Sequence, residues 1–163
     1  MFASRFLISF LAMSAFGAYA SPAPVEVEKR AADVADVMTV MSTLQSSTAA
    51  IIPQLNALVS SNKATQASVT PLASQLVTAF NKASSSLSVM SPVRSSTQSD
   101  AQTVANSISS TISDVSVALD AVQVLVPELS IILAELGLGV AINEVLIGLN
   151  IVIAGVLTLV SGL

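Results

Sequence analysis

Apolar residues recur along most of the chain in steps of three and four. Val34, Val37, Met41, Leu44, Thr48, Ile51, Leu55 and Leu58 form an unbroken a/d series with Thr48 as its one polar member. The series predicts a helix that ends near Asn62, and Pro53 inside it should kink that helix or split it after Ile52. Thr70-Pro71, a capping hydroxyl before a Pro at the first helical position, predicts the start of a second helix. Its apolar face is Leu72, Leu76, Phe80, Ala83, Leu87 and Met90. Ser91-Pro92 repeats the signal for a third helix, and Thr97-x-x-Asp100 offers a rival start. Val104, Ile108, Ile112, Val115, Leu119, Val122 and Val126 form its face, Pro127 ends or kinks it, and a fourth helix runs from about Glu128. Alternation by twos is nowhere sustained, which disfavours strands. The expected fold is all-α, about four amphipathic helices in a bundle with a strongly apolar C-terminal helix.

That fourth segment sorts into stripes when plotted at 100° per residue. Glu128, Glu135, Asn143, Asn150 and Ser161 form a thin polar line, and Gly148, Gly155 and Gly162 recur by sevens. Small residues at that spacing let another backbone approach closely, so these three glycines are the expected helix-packing positions. Large aliphatics fill the rest. Leu133, Leu136, Leu138, Leu146, Ile147, Leu149, Ile151, Val152, Val156, Leu157 and Leu159 are the candidate apolar surface.

Composition changes the picture by showing that the chain is two-faced along its length. Thr39 to Ser116 holds 20 Ser and 9 Thr in 78 residues, whereas from Val117 onward only Ser130, Thr158 and Ser161 remain. A Ser/Thr-rich part, 31–116, therefore precedes a hydrophobic part, 117–163, within one expected helical domain. Before it, Arg5 and the run FLISFLAMSAF followed by Ala18-Tyr19-Ala20 read as a signal peptide, 1–20, cut after Ala20. SPAPVEVEKR, 21–30, reads as a short pro-peptide or a disordered segment ending in the dibasic pair Lys29-Arg30. The expected location is extracellular, in the medium or the cell wall.

Charge narrows the partners. The chain has 6 cationic and 10 anionic side chains, a net charge of −4. Residues 31–163 keep only Lys63, Lys82 and Arg94 against eight carboxylates. This balance disfavours nucleic acid and anionic lipid headgroups, which attract basic patches. There is no Cys, so the fold must be held by packing alone.

Catalytic chemistry finds little support. There is no His and no Cys, and the one Tyr, Tyr19, lies in the signal, so the usual general bases and thiol nucleophiles are missing. Ser60-Ser61-Asn62-Lys63 fits the S-x-x-K spacing, but its companion motifs are absent, and it reads as a polar turn between helices. Asp33 and Asp36 suit the positive end of a helix better than a metal, and no zinc, EF-hand or phosphate-loop pattern occurs. No enzymatic role, cofactor or metal is expected.

The signal, the VEVEKR stretch, the Ser/Thr-rich half and the hydrophobic terminal half together resemble small secreted proteins of mushroom-forming fungi. Those proteins are linked to the wall, aerial growth and attachment. The stretch IIPQLNALVSSNKATQASVTPLASQLVTAFNKASSSLS is also similar to the fungal hydrophobic surface-binding and cell wall galactomannoprotein family. That resemblance implies secreted amphipathic helices, with lipid held in an apolar cavity in some members. The long apolar terminus departs from that family's pattern.

The expected function is a non-enzymatic, wall-associated protein that binds or assembles at hydrophobic surfaces, with self-association or cell-wall material as further partners. In water the polar helices would cover the apolar one, and at an apolar boundary the bundle would open. The alternatives are a helical lipid or fatty-acid carrier and a protein anchored or inserted in a membrane by its terminus. Val145 to Leu163 would reach about 28 Å as a helix, just enough to span, but Asn150 would lie near mid-bilayer and no basic residue follows.

Overall fold

The computed structural model describes residues 32–93, 96–153 and 160. The expected cleavage positions Ala20, Lys29 and Arg30 lie outside them. The described chain is all-helical: α1 (Val34–Ser60), α2 (Gln66–Ser88), α3 (Gln98–Gln123), α4 (Leu129–Leu136) and α5 (Leu138–Val152).

The first three helices begin in the same way. Asp33, Thr65 and Thr97 each cap a helix with a side-chain oxygen that accepts from the backbone N–H three residues on. Asp36, Ser68 and Asp100 return a bond to the cap's own N–H, so two free donors are satisfied at each start. The start of α2 corrects the sequence reading: Thr65 caps it, and Pro71 lies inside the helix rather than at its first position. Pro71 and Ala67 are both exposed, so the carbonyl that Pro71 cannot pair lies on a solvent-facing side of the helix. Thr97 rather than Ser91-Pro92 starts α3. Pro53 sits within α1 without splitting it. Asn62 follows that helix at φ 53, a left-handed turn that Asn tolerates.

The a/d positions of the pattern make the core. Val37, Met41, Leu44, Thr48, Ile51 and Leu55 of α1 are buried, as are Leu72, Leu76, Phe80, Ala83 and Leu87 of α2. Val104, Ile108, Val115, Leu119 and Val122 of α3 join them. Helix α1 lies between α2 and α3, and α5 lies along the other side of α2. Among the described residues two hydroxyls are buried, and both are satisfied within their own helices, Thr48 by the Gln45 carbonyl and Thr111 by the Ser107 carbonyl. The outward faces of α1–α3 carry the Ser and Thr residues. Many donate to the carbonyl four residues earlier, Thr39, Thr43, Ser46, Ser47, Ser60, Thr70, Thr78 and Thr103 among them.

The expected fourth helix is two helices. Gly137 ends α4 in the left-handed conformation, φ 74, and α5 leaves at a 50° bend. A residue at that φ cannot continue a right-handed helix, and Gly adopts it without steric cost. The single helical wheel drawn through this segment therefore does not hold. Glu128 and Glu135 belong with α4, Asn143 and Asn150 with α5, and Ser161 lies outside the described residues.

Candidate interfacial surface

Helix α5 is apolar on two opposite faces. Leu138, Ala141, Val145, Leu149 and Val152 are buried in the core. Val140, Ile147 and Ile151 fall within an arc of about 40° on the other side. They are 63%, 45% and 61% exposed, and Ile131 on α4 is 59% exposed. Glu144 is the one charge in α5, on one edge of the exposed stripe, with Asn143 on the other edge. A surface helix ordinarily carries one apolar face, turned to the core. This one is covered on one side only.

The candidate surface residues are divided between core and exterior. Leu138, Leu149 and Val152 are core, Leu133, Leu136 and Leu146 are half-buried, and Ile147 and Ile151 are exposed. Val156, Leu157 and Leu159 lie outside the described residues, as do Gly155 and Gly162. Gly148 is where α5 comes close to α2: a Cβ there would stand 3.1 Å from the Leu87 Cβ. Two features escaped the sequence reading. Ile131 stands in an almost continuous apolar run that hides it, whereas Gly137, just after a periodic leucine, carries a helix-stop signal that could have found the break.

Polar ties are unevenly distributed. Neither Glu128 before α4 nor Gly137 before α5 makes a side-chain cap. Among the described residues, the side-chain hydrogen bonds run from Asp33 to Thr111, and none reaches α4 or α5. One backbone bond, from the Val93 N–H to the Val152 carbonyl at 2.9 Å, fastens the end of α5 to the segment after α2. Asp100 has its carboxyl held below the ordinary value by the Thr97 backbone N–H and then by the Thr97 hydroxyl.

Clefts open to solvent run beside the helices. One of about 240 Å³ lies between α1 and α2 around Val40, Leu44, Lys82 and Ala83. Another of about 420 Å³ lies between α1 and α3 around Ile52, Pro53 and Val117. Among the described residues there is no cluster of three carboxylates, His or Cys placed to hold a metal. No single described helix is long and apolar enough to cross a membrane, although α4 and α5 reach that length and composition together across their bend.

The chain is similar to a fungal protein. It is 43% identical over 84 residues to fruiting body differentiation protein 16 of Flammulina velutipes. The match takes in 49% of this chain and 65% of that relative, less than two thirds of the relative's length. No family model matches the chain, so its likeness to the galactomannoprotein family rests on the quoted residues alone. No solved structure matches it.

Proposed function

We propose that this is a non-enzymatic, secreted, wall-associated protein of fungal fruiting-body development that binds apolar boundaries through α4 and α5. The observation that carries the reading is the outward stripe of Val140, Ile147 and Ile151 on a helix whose opposite face is already core. The role in development follows from the similarity to a fruiting body differentiation protein. Export follows from the N-terminal pattern.

Physical chemistry selects the kind of surface. Covering the exposed part of three β-branched side chains is worth roughly 1 kcal/mol each. Glu128, Glu135 and Glu144 line the same region, and no Lys or Arg follows Arg94. Such a surface is repelled by anionic headgroups and suits an uncharged phase: air, wax, oil or neutral lipid.

The test replaces Val140, Ile147 and Ile151 together by Ser and measures adsorption to an alkyl-coated surface. All three are exposed, so the helical circular dichroism should be unchanged while adsorption weakens at least about tenfold. Adsorption within twofold of the parent overturns the reading.

A further inference from the structure

The molecule is fastened in two different ways. Helices α1, α2 and α3 each begin in a reciprocal capping box, and the side-chain hydrogen bonds of the described residues belong to them and their flanks. Helices α4 and α5 have no side-chain cap and no side-chain hydrogen bond among the described residues. Among the described residues, apolar packing, chiefly α5 on α2, and the Val93–Val152 backbone bond hold them down. Among the described residues α5 packs chiefly on α2, and α3 meets this part of the chain mainly through α4.

That difference matters where water ends. In water, lifting α5 would expose Leu138, Val145, Leu149 and Val152, and the hydrophobic effect opposes it. Against an apolar phase the same side chains exchange one apolar contact for another, and the force holding them in place largely disappears. Among the described residues, no side-chain hydrogen bond has to be broken in α4 or α5. The 50° bend at Gly137 is stabilised in water by letting both helices reach the core, and it loses that advantage as well.

We infer that α4 and α5 form a releasable arm: at an uncharged apolar boundary α5 lifts from α2, and the arm straightens at Gly137 into one helix. The proposal rests on the reading of this region as the boundary-binding element, and adds how that element is deployed. Straightened, Leu129 to Val152 makes a rod of about 36 Å lying along the boundary. Its occupant is the uncharged apolar phase itself, because the arm carries only Glu135 and Glu144 as charges and no cation. The patch of α2 that it uncovers, with Leu87 at the close approach to Gly148, then meets the same phase.

The chain has no Cys, so a locked form is accessible. In the variant Leu87→Cys/Gly148→Cys the two Cβ positions stand 3.1 Å apart, a few tenths of an ångström closer than a disulfide usually spans, so α5 must shift outward by that much for the bond to form. The area per molecule is measured at a hexadecane–water interface, oxidised and then reduced. The oxidised form is expected to adsorb through its exposed stripe but to stay compact, and reduction is expected to enlarge its area about twofold. Equal areas in the two states overturn the arm. Failure of both the parent and the variant to adsorb overturns the boundary reading on which the arm depends. A second pair checks the hinge without the crosslink. Gly137→Ala, penalised at φ 74, should spread about fivefold faster than the parent, whereas Gly137→Asn, which tolerates that conformation, should match it. Identical behaviour of Ala and Asn overturns the hinge.

Discussion

Asp100 shows how much a single exposed side chain can organise. Its carboxylate accepts from the Thr97 N–H and the Thr97 hydroxyl, both at 2.8 Å, while its own N–H donates to the Thr97 hydroxyl. Those donors favour the ionised form, so the folded-state pKa lies below the unfolded value of about 3.9. A lowered carboxylate contributes stability above the unfolded value and loses it as pH falls through the folded one. Asp100→Asn should therefore lower the urea midpoint at pH 7 and converge with the parent as pH drops below about 3.9. A gap between the two that is constant from pH 7 to pH 2 would contradict this account. The Thr97–Asp100 spacing was legible in the sequence because the acid at N3 is a strong signal. The equivalent Thr65–Ser68 box was not, since a Ser at N3 says little by itself and the nearby Thr70-Pro71 spoke louder.

Among the elements, α1 to α3 followed their apolar periodicity closely, because each has one apolar face and one polar face and only one way to turn. Val37, Met41, Leu44, Thr48, Ile51 and Leu55 went to the core as a set. The final segment gave no such instruction. With aliphatics on every side, periodicity cannot tell inside from outside, and the division between Leu149 in the core and Ile151 in solvent came from which face met α2. Gly148 marks that meeting. The atom that a new side chain would strike is the Leu87 Cβ, which is fixed to the backbone and cannot swing away. Gly148→Val should lower stability by about 1–3 kcal/mol in urea unfolding, with α5 displaced from α2. A variant as stable as the parent would mean that the two helices are less closely packed than this.

For the whole molecule, few forces depend on charge. Charged residues are 10% of the chain, and the core is a continuous apolar cluster running from Val37 to Ile153. Ordinary salt should then matter little. Raising sodium chloride from 0.05 M to 0.5 M, a range that collapses screening lengths, should leave the thermal midpoint within about 2 °C of its starting value. An equal ionic strength of sulfate should raise it, because sulfate strengthens apolar burial. A large rise or fall in sodium chloride would reveal stabilising or opposing ion pairs that this view omits.

The hydroxyls along α1 to α3 carry a last consequence. Thr39, Thr43 and Ser47 follow one another by fours, and each gives its proton to the carbonyl one turn back. What such a row turns outward is lone pairs and methyl groups, with its protons already engaged. A film of these molecules lying with α4 and α5 against an oily substrate would show water such rows of ether-like oxygens wherever α1 faces it, and water would spread on them.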